Sequence, residues 1–207
     1  MKKLSLIFAL LVLSIQVNAA STNLIVNGSF EDPDIKSGSW TVVNALAGWS
    51  TGKAGVEVRD NVVGTAYDGK QFVELDTHPT QSISKTNSSI SQNLTNTISG
   101  QSYLLSFAYS PRIKEPSTTN GISAFWNDTL LTSITGKGGA INNWTIFEFM
   151  VIGTGNDTLK FAAIGKEDTL GGNLDAVSVS AVPVPAALFL FAPALLGLLG
   201  LRRKVQA

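Results

Sequence analysis

The sequence predicts an all-β fold, with its strands packed as a sandwich of two sheets. Short runs rich in Val, Ile, Thr, Phe and Tyr recur every ten to fifteen residues, and turn-forming pairs such as Asp68-Gly69 and Gly138-Gly139 separate them. No stretch of this region keeps a helical period for three turns. Apolar and polar side chains alternate within several runs, which is typical of strands with one buried face.

The predicted strands follow one another along the chain with similar lengths and spacing. In order they are Asn23–Val26, Thr41–Val43, Val56–Arg59, Gln71–Leu75, Ser88–Leu94, Tyr103–Tyr109, Ile122–Trp126, Thr129–Ile134, Thr145–Ile152, Leu159–Ala163 and Leu174–Ser180. Ten or eleven such strands joined by regular turns favour a two-sheet sandwich.

Composition and charge exclude several classes of function. The 207 residues include no cysteine and one histidine, which excludes a disulfide framework, thiolate metal sites, a cysteine nucleophile and zinc sites built from several histidines. All 15 acidic residues lie between Glu31 and Asp175, whereas only ten basic residues fall within 20–181, so that region has a net charge of −5. An acidic domain of this kind is not expected to bind nucleic acid.

The N-terminal residues 1–19 are typical of a secretory signal peptide. Met1-Lys2-Lys3 precedes an apolar run from Leu4 to Leu13, and small side chains in Val17-Asn18-Ala19 suit cleavage after Ala19. The alternative is a buried N-terminal helix. The signal predicts export of residues 20–181 as one β-sandwich domain.

A second apolar segment lies at the C-terminal end, in residues 182–207. Residues 182–201 contain no charged side chain and are followed by the basic cluster Arg202-Arg203-Lys204. Prolines leave 186–201 as the predicted transmembrane helix, and the basic cluster would hold its end in the cytoplasm. The domain would then face the periplasm, anchored in the inner membrane.

This C-terminal segment resembles the PEP-CTERM protein-sorting signal in its VPxP variant. The proline motif Val182-Pro183-Val184-Pro185, the hydrophobic helix and the basic cluster occur in the order of that family. The resemblance implies recognition by an exosortase-type membrane enzyme, cleavage or transfer near Pro183 to Pro185, and a Gram-negative bacterium that makes extracellular polysaccharide. The mature domain would reach the cell surface or extracellular matrix. The alternative is a plain single-span anchor.

Six short motifs follow one another along the domain: Asn23 to Glu31, Gly48-Trp49, Asp68 to Asp76, Ser91 to Leu94, Gly100 to Phe107 and Leu174 to Val179. In this order they resemble galactose-binding-like jelly rolls, a group that includes carbohydrate-binding modules and plant cell-wall proteins of undefined activity. The resemblance spans most of residues 23–180 and implies a jelly roll with a glycan-binding face.

In related modules, the glutamate of the first motif and the first aspartate of the last strand help to bind a structural calcium ion. Glu31 and Asp175 occupy those positions, so the resemblance implies a Ca²⁺ site. Calcium prefers six to eight hard oxygen ligands, which loop carbonyl groups would complete. Ala176 supplies no ligand where relatives often have one. The alternative is a pair of carboxylates at solvated turns.

Glycan binding requires an aromatic plane beside polar groups that bind hydroxyls. Trp40, in a Gly/Ser loop, and Trp126, at a strand end, are predicted to be exposed stacking residues, whereas Trp49 and Trp144 are expected in the core. Alternation in two strands predicts polar stripes that meet on one sheet. The predicted polar partners are Glu57, Arg59, Glu74, Asp76 and Arg112.

These polar stripes have two interpretations, a glycan-binding groove or a solvated sheet face with cross-strand ion pairs. Together the observations predict an exported, non-enzymatic protein that binds extracellular polysaccharide. One alternative is a structural matrix or aggregation protein without a glycan site. The other is a glycan hydrolase, although 15 carboxylates place some pair at glycosidase distance by chance, and His78 lies in a Thr-rich loop without a nucleophile motif.

Overall fold

Two antiparallel sheets form the fold in a computed structural model, which describes residues 22–78 and 85–183. Residues 22–182 make up one compact unit. The strands of the described residues are β1 (Ser39–Val43), β2 (Ser50–Thr51), β3 (Val56–Asp60), β4 (Gln71–Glu74), β5 (Ser89–Leu94), β6 (Ser102–Ser110), β7 (Gly121–Trp126), β8 (Thr129–Ile134), β9 (Thr145–Ile152), β10 (Asp157–Ile164) and β11 (Asn173–Ala181).

The six-stranded sheet has the order β1-β3-β4-β11-β6-β9, and the five-stranded sheet has the order β2-β5-β10-β7-β8. The predicted all-β, two-sheet jelly-roll sandwich is confirmed. Within the described parts of the chain there is no helix of the length and apolarity needed to span a membrane. The signal peptide and most of the sorting segment, including Val184, Pro185 and the basic cluster, lie outside the described residues.

The core lies between the sheets and is filled by alternate side chains of the facing strands. Phe107 of β6 meets Phe161 of β10 edge to face, with ring centroids 4.9 Å apart. Trp49 and Trp126 also belong to this core. The expected burial of Trp49 is confirmed. The expected exposure of Trp126 is wrong, because its indole is only 6% exposed and donates a hydrogen bond from Nε1 to the Ile152 carbonyl.

The opposite side of the six-stranded sheet, here called the outer face, carries the polar stripes. Side chains of directly paired residues point to the same face of a sheet. One row across the outer face is Trp40, Arg59 and Phe72, on β1, β3 and β4. The next row contains Glu57, Glu74, Asn173 and Ser110, on β3, β4, β11 and β6. The prediction that the polar stripes meet on one sheet is therefore confirmed.

The first predicted strand, Asn23–Val26, is wrong. This segment forms only one isolated bridge, between Asn23 and Ser180, because side chains replace the ladder partners. Asn23 Oδ1 accepts hydrogen bonds from the Ile25 and Val179 amides, and the Val26 amide donates to Gln92 Oε1.

The short strand β2 was not predicted, because two polar residues show no apolar alternation. At the other end of the chain, Val182 is hydrogen-bonded to Ser102 and Gln101, and Pro183 is the last described residue.

Candidate functional site

A cluster of buried ion pairs lies at the centre of the outer face. Arg59 is 1% exposed, and its Nη2 forms ion pairs with Glu57 Oε1 and, at 2.9 Å, with Glu74 Oε2. Arg112 Nη1 donates to both carboxylate oxygens of Glu74, at 2.8 and 2.6 Å. Glu57, Arg59, Glu74 and Arg112 are here called the ion-pair cluster. The predicted cross-strand ion pairs exist, but burial contradicts the solvated face that one interpretation expected.

The loop between β10 and β11 covers this cluster. The Gly171 amide donates to Glu74 Oε1 at 2.8 Å, and the Thr169 carbonyl accepts a hydrogen bond from Arg112. Asp76 Oδ2 accepts hydrogen bonds from the amides of Asp168 and Leu170 in the same loop. A β-carbon at Gly171 would lie 2.7 Å from Asp76 Cβ, so only glycine permits this approach. Asp76, predicted as a sugar ligand, therefore anchors the covering loop.

Burial controls the ionisation of this cluster. Desolvation raises the pKa of Glu74 to about 8, against the opposing effect of Arg59 and Arg112. Desolvation also lowers the pKa of Arg59, opposed by the two glutamates. The structure therefore places an unusually basic carboxylate beside a guanidinium group that is shielded from water.

An aromatic pair forms the solvent-exposed edge of the cluster. Trp40 stacks on His78 with ring centroids 4.5 Å apart and an interplanar angle of 27°. His78 Nδ1 lies 3.0 Å from Glu57 Oε2, which joins the pair to the cluster. Trp40 is 42% exposed, as predicted. The Trp40–His78 pair thus presents an aromatic surface to solvent directly beside buried polar groups.

A second aromatic group lies on the other side of Arg59. Phe72 is buried and packs edge to face against Trp144 at 5.8 Å, and Trp144 in turn contacts the exposed Tyr67 at 6.3 Å. Trp144 was expected in the core but is half-buried, because Nε1 donates outward to the Thr65 carbonyl. Aromatic rings therefore border the ion-pair cluster on two sides.

Glu31 and Asp175, the predicted calcium ligands, hold one loop between them. Asp175 Oδ2 accepts hydrogen bonds from the Tyr67 and Asp68 amides, and Glu31 Oε1 accepts from the Lys70 and Gln71 amides. Desolvation raises the pKa of Asp175 to about 7. The solvated-turn alternative fails for Asp175, which is fully buried.

Sequence reasoning predicted all four residues of the ion-pair cluster and missed two of their neighbours. Trp40, Glu57, Arg59, Glu74 and Arg112 come together, whereas Trp126 lies in the core between the sheets. His78 was missed as a partner because its Thr-rich loop gives no pattern. Asn173 was missed too, although its position two residues before Asp175 on the same strand was a usable signal, because alternate residues share a face.

Comparison with known proteins supports the fold. No family model matches the chain. It is 31% identical over 158 residues to a multifunctional-autoprocessing repeats-in-toxin protein of Vibrio vulnificus; the match covers 75% of this chain but only 3% of that relative's length. The K1 cleaved adhesin domain of Lys-gingipain from Porphyromonas gingivalis W83 aligns with a TM-score of 0.51 at 13% identity, over 70% of this chain and 98% of that one.

Carbohydrate-binding modules are also among the similar solved structures. TmCBM61, solved in complex with β-1,4-galactotriose, aligns with a TM-score of 0.49 at 18% identity, over 78% of this chain and all of that one. A family 35 carbohydrate-binding module from Clostridium thermocellum aligns with a TM-score of 0.42 at 18% identity, over 68% of this chain and 97% of that one. At these identities the likeness concerns the fold alone.

The raised pKa values of Glu74 and Asp175 predict that stability falls as pH rises. Between about pH 4.5 and 8 the unfolded chain has lost the Glu74 proton while the folded chain retains it, and Asp175 acts in the same direction between about pH 4 and 7. We expect the free energy of unfolding to be at least about 2 kcal/mol lower at pH 8 than at pH 5, because each pKa unit corresponds to about 1.4 kcal/mol. Urea unfolding at a series of pH values measures this difference.

The Glu74→Gln variant should reduce the pH dependence, since its side chain does not titrate. Glu148→Gln is the matched control, because Glu148 is exposed on β9. A free energy of unfolding that rises from pH 5 to pH 8 in the unmodified protein would contradict the prediction.

Proposed function

We propose that the sandwich binds polysaccharide at the outer face, through the Trp40–His78 pair and the polar groups beside it, and that it does so without catalysis. The observation that carries the proposal is the half-exposed Trp40 ring stacked on His78, which is bonded in turn to the buried ion-pair cluster. Sugar rings stack their apolar faces on aromatic planes while fixed polar side chains bind their hydroxyl groups. The sandwich is consistent with this proposal, because carbohydrate-binding modules are among the similar solved structures.

The arrangement of the outer face suits a polymer. Paired residues of neighbouring strands are about 5 Å apart, so the row from Trp40 to Phe72 spans roughly 10 Å, and Trp144 and Tyr67 extend it further. This distance matches a few linked sugar residues rather than one. An extended glycan could contact both aromatic groups.

A second candidate function is structural, as a matrix protein that associates with its own kind. The edge strand β9 exposes Ile146, Met150 and Ile152 on one side, and Met150 is 59% exposed. Exposed apolar edge strands are templates for pairing with another chain. This observation favours the matrix role as the second candidate.

Replacing Trp40 tests the polysaccharide proposal. Trp40→Ala should weaken binding of the full chain to its glycan by at least about ten-fold, or about 1.4 kcal/mol, because the stacking surface is lost. Affinity electrophoresis against a panel of bacterial polysaccharides measures the change. Phe125→Ala is the matched control, since Phe125 is a half-buried aromatic residue on the other sheet.

Failure to bind any glycan would contradict the proposal, as would release of new reducing ends, which would indicate a hydrolase. Loss of cell aggregation on deletion of a chain that binds no sugar would favour the matrix role.

We also propose that Glu31 and Asp175 contribute to a structural Ca²⁺ site. Both carboxylates are hard oxygen ligands of the kind that this ion prefers, and they lie beside one loop, Tyr67 to Gln71. The amides of that loop already donate to Asp175 Oδ2 and Glu31 Oε1, so an ion would compete with these hydrogen bonds. No group of three or more acidic or histidine side chains that could hold a metal lies among residues 22–78 and 85–183. Backbone carbonyl oxygens would therefore have to provide most of the coordination.

Calcium should raise the midpoint of thermal unfolding by several degrees relative to EDTA if this site binds it, because a ligand that binds only the folded state stabilises it. Asp175→Asn should abolish the effect of calcium, and Asp128→Asn, at an exposed turn, should preserve it. Identical unfolding curves in calcium and EDTA would exclude the site.

We also propose that the chain is exported and then sorted through its C-terminal segment. A signal peptide at 1–19 would direct the chain across the inner membrane, and the C-terminal segment would be recognised by an exosortase-type enzyme that releases the domain to the cell surface or extracellular matrix. The proline motif begins at Val182, where the described hydrogen bonds of the sandwich end, so cleavage at Pro183 to Pro185 would leave every strand intact.

Mass spectrometry of the surface-located protein tests this sorting. We expect an N-terminus at Ala20 and a C-terminus near Pro183 to Pro185. Changing Arg202, Arg203 and Lys204 to Gln should cause unprocessed chain to accumulate. An intact Ala207 terminus on the surface protein would rule out cleavage at the proline motif.

A further inference from the structure

Several buried polar atoms of the outer face have no hydrogen-bond partner among the described residues. Among them are Nε and Nη1 of Arg59 and both side-chain amide atoms of Asn173. Both residues are 1% exposed. Buried polar groups in proteins are almost always paired, so such a group calls for an explanation, and a ligand is one.

These atoms lie on both sides of Glu74. Asn173 on β11 is paired with Glu74 on β4, which is paired with Glu57 on β3. Arg59 lies in the neighbouring row, directly opposite Trp40. Arg59 therefore lies beside the place where a sugar would stack on Trp40, and Asn173 lies two strands further along the outer face, beyond β4.

We infer that Arg59 and Asn173 bind hydroxyl groups of a neutral oligosaccharide, with Arg59 contacting the sugar that stacks on Trp40 and Asn173 contacting a later sugar of the same chain. The inference rests on the proposed polysaccharide binding and names the class of sugar. A hydroxyl group both donates and accepts hydrogen bonds. It can accept from Arg59, and a hydroxyl group of the later sugar can pair with both the amide nitrogen and the amide oxygen of Asn173.

An acidic sugar fits these groups less well. A carboxylate that replaced a hydroxyl group at Asn173 would accept from the amide nitrogen but would leave Oδ1 unpaired, since an ionised carboxylate has no proton to donate. A carboxylate at Arg59 would approach the carboxylate of Glu57, which already binds Arg59 and His78. The net charge of −5 within residues 20–181 further opposes an anionic polymer.

Access requires a rearrangement, because Arg59 and Asn173 are buried. Trp40 and His78 are half-exposed side chains on the Arg59 side of the cluster, and His78 Nδ1 contacts Glu57 Oε2. A shift of these two rings would open Arg59 without breaking its ion pairs, whereas exposing Asn173 would require the β10–β11 loop to release the hydrogen bond from the Gly171 amide to Glu74. Binding would then exchange the His78 contact for sugar hydroxyls.

The experiment compares neutral oligosaccharides with their oxidised forms. Galactan and glucan oligosaccharides are titrated calorimetrically into the full chain, each beside a C6-oxidised form in which a carboxylate replaces the hydroxymethyl group. We expect at least one neutral oligosaccharide to bind, and its oxidised form to bind at least ten-fold more weakly. Equal or tighter binding of the oxidised form would overturn the inference, and this comparison requires no variant.

Two variants test the residues themselves. Asn173→Asp removes the amide donor at nearly constant size, and Arg59→Lys keeps a cation between the glutamates but removes the unpartnered guanidinium nitrogens. Each should weaken neutral-sugar binding at least ten-fold, while Asn93→Asp, an exposed position on the other sheet, should not. Thermal unfolding establishes that each variant is folded.

The outcomes separate this inference from the proposed function. Neutral-sugar binding that depends on Trp40 but is unchanged in folded Asn173→Asp and Arg59→Lys overturns the inference and leaves the proposed function standing. The absence of any glycan binding by the unmodified chain overturns both.

Discussion

The outer face depends on one buried charge, the guanidinium group of Arg59. A cation removed from water needs polar or anionic partners in contact, and Glu57 and Glu74 supply oxygen atoms from the same face. Glu74 is then shared with Arg112 and the Gly171 amide, which draws two loops onto the sheet. Such a pair is weak evidence for added stability, since an apolar replacement is often as stable. Its effect here is geometric, because it determines which loops cover the sheet.

The outer face therefore combines two kinds of group, the buried polar side chains of the ion-pair cluster and the more exposed aromatic rings of Trp40 and His78. The ion-pair cluster is buried, whereas the Trp40–His78 pair is half-exposed and is joined to the cluster by the contact between His78 and Glu57. Ligand sites commonly combine a few fixed polar groups with aromatic surface. The sandwich provides both by placing Trp40 and Arg59 in one row of the outer face and Glu57 and Glu74 in the next, so that the spacing of strands sets the spacing of the contacts.

The strands and the meeting of the polar stripes could be predicted because alternation and turn residues are local signals. Burial of those stripes could not, since it depends on loops more than 90 residues away, as in the contact between Gly171 and Glu74. Trp126 illustrates the same limit, because a strand end next to a turn suggested exposure while β9 supplied a buried acceptor for its indole. The segment Asn23–Val26 has strand composition but bonds to side chains instead of a ladder. Hydrogen bonds from side chains that are distant in the sequence thus account for most of the differences between the predicted and the observed structure.

Those side-chain hydrogen bonds also explain how the sandwich, which contains no cysteine, holds its N-terminal segment in place. Gln92 of β5 bonds both the amide and the carbonyl of Val26, and Gln71 of β4 bonds the carbonyls of Phe30 and Pro33 together with the Ile35 amide. One glutamine comes from each sheet, so the segment is fixed to both layers. A single neutral hydrogen bond contributes only about 1 kcal/mol, but these five depend on two side chains whose strands lie in the core. Freeing the segment therefore requires displacing core strands, which makes its attachment cooperative with the whole sandwich.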